Sequence, residues 1–243
     1  MNRSQSAFAA LALSAFALTG CQKVDDAAFG KRVHAYLMAH PEVIREAALK
    51  LNENDKIAAA KAVTESMTKY RAQLERDPRD FVANPNGKIT VVEFFDYRCG
   101  YCKLAAPEVM KLIAENPDVR FVFKEFPIFG EVSDTTAKIA LTPQSKATGL
   151  NLYVAWMAEK ALDEAAVDRH LVKVGLSPAD VRKAASDPAI DRQILDTRAL
   201  ASALKIDGTP AFIVGDTIIP GADMAALRAA VTQAKAGELK KLS

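Results

Sequence analysis

Cysteine is scarce in this chain: three among 243 residues, at positions 21, 99 and 102, beside three histidines and one tryptophan. Three cysteines cannot build the framework that staples a small disulfide-rich domain, and no histidine stands at zinc-finger spacing from the pair. Charge of one sign is lacking too. The 32 basic and 30 acidic residues are spread along the sequence and leave a net charge of +2, so no tract is suited to nucleic acid and no such partner is expected. Long apolar runs are missing after the first twenty residues, as are solenoid-length repeats and low-complexity tracts. What is there is a chain with 50% apolar residues, long enough for one large domain or two small ones with a real core.

The start, MNRSQSAFAALALSAFALTGC, has one arginine, an apolar run from Ala7 to Leu18 and then small residues. The run is too short to span a bilayer and has the layout of a secretory signal. Leu18-Thr19-Gly20-Cys21 resembles a bacterial lipobox, which implies a signal over 1–20 and lipid attachment at Cys21, the tether then being the membrane contact. Ordinary cleavage after Ala15-Phe16-Ala17 is the alternative. Either route takes the chain to a compartment where disulfides persist.

Phe29, Val33, Tyr36 and Leu37 fall on one face of a helix that His40-Pro41 ends. From Pro41 to Arg76 there is neither Gly nor Pro, only strong helix formers, enough for a helix of about 35 residues and roughly 50 Å. Ile44, Ala47 and Leu51 make one apolar seam, Val63, Met67, Tyr70 and Leu74 another, and Asn52–Lys56 interrupts the register between them. Residues 21–78 are expected to be a helical oligomerisation arm with a weak middle; two helices folded back on the domain are the other reading. Arg76–Lys88, with two prolines and Asn86-Gly87, reads as a linker closing in a turn.

The texture then changes. ITVVEFFDY is a strand, CGYCKLAAPEVMKLIAENP a helix with Leu104, Val109, Leu112 and Ile113 inward, and VRFVFKEF a second strand: a βαβ unit with a parallel pair. A mainly helical block of about 133–204 follows, broken near Pro143, Gly149, Pro178 and Pro188. PAFIVGDTIIPG gives a hairpin around Gly215-Asp216, and a last amphipathic helix ends the pattern. The order is that of an α/β thioredoxin fold with a helical insertion, over residues 79–243.

Cys99 and Cys102 sit where strand meets helix, so unpaired amides and the positive end of the helix dipole point at Cys99. This lowers its pKa and makes it the attacking and leaving sulfur, with Cys102, one turn in, as the resolving thiol. Such chemistry needs no cofactor. Two thiolates on an exposed turn could alternatively hold copper(I), so a metal-binding role of Cys99 and Cys102 stays open. Glu93 alternates with Ile89, Val91 and Phe95; on a core face its carboxyl would stay neutral and relay protons to Cys102, whereas on an edge it would be solvated. Gly208-Thr209-Pro210 reads as a turn into a strand. The histidines and Trp156 are given surface or packing roles.

With Cys99-Gly100-Tyr101-Cys102 after EFFDYR and Thr209-Pro210 before AFIVG, the chain resembles the DsbA family of thiol-disulfide oxidoreductases over roughly Val82 to Gly237. The resemblance implies that Pro210 is cis and packs against the pair, that Thr209 and Pro210 hold extended substrate with Gly100 and Tyr101 beside them, and that Glu93 is buried. Gly100-Tyr101 differs from the Pro-His of the strongly oxidising member, so no redox potential carries over. FGKRVHAYLMAHPEVIREAALKL, Phe29 to Leu51, is similar to the N-terminal region of the ScsC branch, linked to copper tolerance, whose helical arm can trimerise and make the protein an isomerase; Thr before the cis-proline points the same way.

The expected protein is therefore a lipid-tethered periplasmic homo-oligomer, favoured as a trimer, that shuffles disulfides in exported cysteine-containing proteins. A membrane thiol-disulfide electron donor would keep it reduced. An oxidase of the DsbA type and a copper(I)-binding module are the alternatives.

Overall fold

The computed structural model describes residues 26–237. The export signal over 1–20 and the lipid site at Cys21 lie outside the described residues. The chain divides into two compact units, one ending at Ala58 and one starting at Ala59.

Helix α1 (Asp26–Ala39) ends ahead of Pro41, and α2 (Glu42–Glu75) follows directly. Helix α2 runs unbroken through Asn52–Lys56, as the absence of Gly and Pro leads one to expect; what is interrupted there is the apolar seam, all five polar side chains being exposed. In the first unit Phe29, Tyr36, Met38, Ile44, Leu49 and Leu51 are exposed.

From Val63 onward the seam of α2 belongs to the second unit and packs on its sheet. Met67 and Leu74 are fully buried among Val92, Phe94, Val122 and Ile213, with Val63 and Tyr70 against them. This corrects the coiled-coil reading of Val63, Met67, Tyr70 and Leu74. A step of four, three, four marks one buried stripe of a helix and does not say whether the partner is another copy or the protein's own sheet. The core thus takes in α2 well ahead of the boundary expected at 78/79.

The segment read as a linker contains strand β1 (Phe81–Ala83), which pairs antiparallel with β3 (Val119–Glu125). Three residues between prolines carry too little pattern to announce a strand. Asn84, at φ 51°, turns the chain out of it, and Gly87 brings the turn against β3: a Cβ there would lie 2.4 Å from the Arg120 amide nitrogen. Strand β2 (Ile89–Phe95), helix α3 (Gly100–Glu115) and β3 form the βαβ unit, β2 and β3 being parallel with Glu93 opposite Phe123.

The helical block consists of α4 (Glu131–Ala140), α5 (Pro143–Ala147), α6 (Leu150–Ala158), α7 (Glu164–Lys173), α8 (Pro178–Ala185) and α9 (Pro188–Ala203). Its expected breaks are helix starts: Thr142, Ser177 and Asp187 each cap the N-terminus with a side-chain oxygen, and a proline occupies the next position. Strands β4 (Ala211–Val214) and β5 (Thr217–Pro220) make the hairpin, and α10 (Met224–Lys235) ends the fold. The strand order is β1-β3-β2-β4-β5, so β2 is central.

Alternation along these strands feeds two cores. Val91, Phe95, Phe121, Phe123, Phe212 and Val214 point to one face, under α3, α6, α7 and α10. Val92, Phe94, Val122, Ala211 and Ile213 point to the other, under α2 and the end of α9. On that second face the charged residues of β3 hold α2 by its last carbonyls: Arg120 donates to the Glu75 carbonyl, and Lys124 to the Gln73 carbonyl and to Asp80. Cations at a helix C-terminus satisfy orphan carbonyls and complement its dipole. Arg71 extends the seat, donating to the Gly215 carbonyl at 3.0 Å and to Asp216 in the β4–β5 turn.

Candidate active site

Cys99 is the N-cap of α3, with extended backbone, and its sulfur accepts from the Cys102 amide at 3.4 Å as a serine oxygen would. Its Sγ also lies 3.1 Å from the Thr209 carbonyl, to which the thiol donates when protonated. Hydrogen bonding from the Cys102 thiol is the largest influence on Cys99; with the Cys102 and Tyr101 amides it outweighs burial and brings the thiol down to about 5. Cys102 goes the opposite way. Burial first, then its bond to Cys99 and the nearby Glu93 carboxylate, push its thiol far above the usual range. One sulfur is held as a thiolate and its neighbour as a thiol, which is the asymmetry a nucleophile and a resolving group require.

Both cysteines are reduced, and both are buried, Cys99 at 2% exposure and Cys102 at 0%. On this turn the exposed residues are Gly100 and Tyr101, whereas the two sulfurs face inward, Cys99 against the Thr209 carbonyl. Among the described residues no group of three or more His, Cys, Asp or Glu side chains is gathered as a metal site.

Glu93 lies on the central strand at 1% exposure, which removes the edge alternative. Burial pushes its carboxyl up to about 8, against the hydrogen bond from the Tyr153 hydroxyl, 3.3 Å from each oxygen. The Thr209-Pro210 bond is cis. A cavity of about 230 Å³ beside it is lined by Thr209, Pro210, Ile206, Ala211 and Ile218. Gly100 and Tyr101 are exposed on the first turn of α3. Leu104 joins them at 73% exposure instead of turning inward as expected, because it lies two residues past buried Cys102 and hence on the far side of the helix. With Ile128 and Phe129, also exposed, these side chains give the site an apolar rim.

Three residues of the site were not read from the sequence. Asp96, 2% exposed, accepts from the Arg98 amide at 2.7 Å, the Ile128 amide at 2.7 Å, the Phe129 amide at 3.2 Å and the Ser133 hydroxyl at 2.8 Å. Its own carbonyl accepts from the Cys99 amide, so one residue fixes both the cysteine loop and the Ile128–Phe129 loop. Its place two residues before Arg98 is the signature of an Asx turn and was the available signal. Tyr153 had none, since α6 reaches Glu93 only through tertiary packing. Lys103, half-buried, donates to the Trp156 carbonyl at 3.1 Å and joins α3 to the end of α6. His34 and His40 are exposed, His170 pairs with Glu159 at 2.8 Å, and Trp156 is buried in the core.

Comparison with known proteins gives the same arrangement a lineage. The DSBA-like thioredoxin domain matches residues 90–152 and 138–231, together more than half the chain, and the copper resistance protein ScsC N-terminal domain matches 25–58. A thioredoxin-like oxidoreductase from Silicibacter pomeroyi is 37% identical with a TM-score of 0.65, covering 68% of this chain and 98% of that one. BcfH of Salmonella enterica Typhimurium is 33% identical with a TM-score of 0.69, over 86% of this chain and 96% of its own. ScsC of Proteus mirabilis in a transitional conformation is 27% identical with a TM-score of 0.66, over 87% and 99%. Among curated sequences, the Na(+)/H(+) antiporter NhaA 1 of Salinispora arenicola is 29% identical over 169 residues, 66% of this chain; the chain spans 26% of that protein's length. The chain belongs to the DsbA-like thioredoxin family, of the type that carries an ScsC N-terminal domain ahead of the thioredoxin domain.

Proposed function

We propose that the protein is a thiol-disulfide oxidoreductase that rearranges disulfides in other proteins. The observation that carries this reading is the Cys99 sulfur, held as a thiolate at the N-terminus of α3 against the Thr209–Pro210 loop, with the Cys102 thiol behind it. Cys99 attacks a substrate disulfide: its sulfur joins one substrate cysteine, and the other leaves as a thiolate. That thiolate can then attack a different bond of the substrate, which is isomerisation. Alternatively Cys102 gives its proton to Glu93 in that carboxyl's ionised form and attacks Cys99, which releases a reduced substrate and leaves a Cys99–Cys102 disulfide. Substrate is held along Thr209 and Pro210, with Gly100 and Tyr101 at the rim, and the apolar neighbours Leu104, Ile128 and Phe129 suit the exposed apolar segments of an unfolded chain.

Isomerisation is favoured over oxidation by the N-terminal unit. It matches the ScsC N-terminal domain and exposes Phe29, Tyr36, Ile44 and Leu51, whose burial between copies would set several thiol sites around one substrate. A homo-oligomer, a trimer by family resemblance, is part of this proposal. So are export to the periplasm, a lipid tether at Cys21 and a membrane dithiol donor that keeps the pair reduced. Among the described residues no helix is long and apolar enough to cross a membrane.

The test is reactivation of a scrambled multi-disulfide substrate by the reduced protein, beside a full-length variant with Phe29, Tyr36, Ile44 and Leu51 changed to serine. Reactivation by the parent and not by the variant supports an oligomeric isomerase. Equal oxidation of a reduced substrate by both, without reactivation, supports the oxidase instead. The copper in the matched domain's name keeps the second reading in view. Titration of the reduced protein against a copper(I) chelator tests it, and absence of competition removes it.

A further inference from the structure

Between the sheet and α6 lies a small cavity whose lining includes Tyr97, Glu125, Tyr153 and Trp156. It has about 20 Å³ of free space, room for a single water. Two of these residues bring a buried polar atom that has no protein partner, Glu125 Oε2 and Trp156 Nε1. Glu125 is 7% exposed and Trp156 0%. Orphaned groups of this kind are destabilising, and buried polar groups in folded proteins are seldom left so. A single water there would be able to accept from the indole N–H and to bond to the carboxyl oxygen in either protonation state of the carboxyl.

The other oxygen of Glu125 accepts from the Tyr97 hydroxyl at 2.9 Å. Glu125 stands on the same sheet face as Glu93, two residues beyond Glu93's partner Phe123 on the parallel neighbour strand. Tyr153, which lines the cavity, donates to Glu93. Glu93 and Glu125 thus share a sheet face, and Tyr153 both donates to Glu93 and lines the cavity that Glu125 lines.

We propose that a water held between Glu125 and Trp156 makes Glu125 a second proton-holding carboxyl of the thiol site, which exchanges one proton with Glu93 through the Tyr153 hydroxyl. The proposal rests on thiol-disulfide exchange at Cys99 and Cys102. When a substrate thiolate attacks Cys99 of the oxidised pair, the new S–S bond joins substrate to Cys99 and the Cys99–Cys102 bond breaks. The departing Cys102 thiolate takes the proton of Glu93. Tyr153 then gives its proton to Glu93 and takes one from the water, which takes one from Glu125. The net transfer is one proton from Glu125 to Glu93, and the resolving step runs the same sequence backward.

Burial raises the carboxyls of both Glu93 and Glu125, and the charge of Glu93 further disfavours ionisation of Glu125. The remaining groups acting on Glu125 are Asp96 and Asp80, which oppose its charge, and Lys146 on α5, whose ammonium donates to the Arg79 carbonyl at 2.8 Å. Glu125 is a positioning and proton-storing residue; it touches neither substrate nor sulfur in the structure.

The test is rapid mixing of the reduced full-length protein with a peptide disulfide, with acid quenching and mass analysis from pH 5 to 10. This separates capture by Cys99 from release by Cys102. Wild type should show two ionisations in the release rate. Glu125→Gln, which keeps the shape and the bond from Tyr97, should show one, with release about tenfold slower at pH 7. Trp156→Phe, which leaves both carboxyls in place, should also slow release. Glu93→Gln combined with Glu125→Gln should be no slower than Glu93→Gln alone, because both act on one path. A wild-type rate and profile in Glu125→Gln, or in Trp156→Phe should the former not fold, would overturn the relay, as would independent, multiplying effects in the double variant. Absence of capture by the wild type would instead overturn the thiol-exchange reading, and the relay with it.

Discussion

The Tyr153 hydroxyl donates to both carboxyl oxygens of Glu93, 3.3 Å from each, and is the one partner Glu93 has among the described side chains. One neutral donor does not offset full burial, and the carboxyl stays protonated to about pH 8. Glu93 therefore binds a proton more tightly folded than unfolded. Its contribution to stability is fully present below the ordinary carboxyl pKa and is lost as pH rises through about 8. Glu93→Gln, which cannot ionise, should gain on the wild type by at least about 1 kcal/mol more at pH 8 than at pH 5 in urea unfolding. A difference independent of pH would show that Glu93 is not the buried acid described.

Cys99 offers a second titration. Its reactivity toward iodoacetamide should rise with a midpoint near pH 5, because the reactive species is the thiolate. Since hydrogen bonding from Cys102 is the largest cause of that low value, Cys102→Ala should move the midpoint upward while leaving the reaction intact. Cys99→Ser should abolish substrate capture altogether.

Asp96 links stability to the site. Asp96→Ala strands the Ile128 and Phe129 amides and the Ser133 hydroxyl, and frees the cysteine loop from its Asx turn. Bonds to a charged acceptor are worth about 1.5–3 kcal/mol each, so a loss of about 2 kcal/mol or more is expected in denaturant melts. Hydrogen exchange should rise first at the Cys99, Ile128 and Phe129 amides.

The two halves of the α2 seam should respond differently. Met67→Ala or Leu74→Ala removes side chains buried in the second core and should destabilise the fold by about 2–5 kcal/mol without altering the subunit number. Ile44→Ser and Leu51→Ser, at exposed positions, should leave thermal stability of the thioredoxin domain alone and lower the mass seen in sedimentation equilibrium. A change of mass with Met67→Ala would mean that the lower seam also pairs copies.

What was legible in the sequence is what short-range pattern encodes. The strand, helix and strand around the cysteine pair, the proline-headed helices and the Gly215-Asp216 hairpin each announce themselves within a few residues. Cys99 needed only its place at a helix start. Tyr153 and Glu125 were hidden, because what they touch is decided by how α6 crosses the sheet, a relationship no local window contains. Leu104 misled because apolar character was taken for burial, and β1 was missed because its strand character is supplied by pairing with β3. The α2 seam was legible as a stripe, and what it lies against was not.

Strand β3 works with both of its surfaces. Arg120 and Lys124 reach from one to grip the end of α2, while Phe123 and Glu125 reach from the other to line the aromatic cavity. Side chains on a regular strand alternate, so inserting or deleting a single residue between Arg120 and Phe123, unless a bulge absorbed it, would invert everything beyond it. Lysine would be driven into the aromatic layer and the acid turned toward the helix. Anchor and acid are therefore kept in phase by one count of residues, and this seven-residue strand can exchange side chains in evolution far more readily than it can change length.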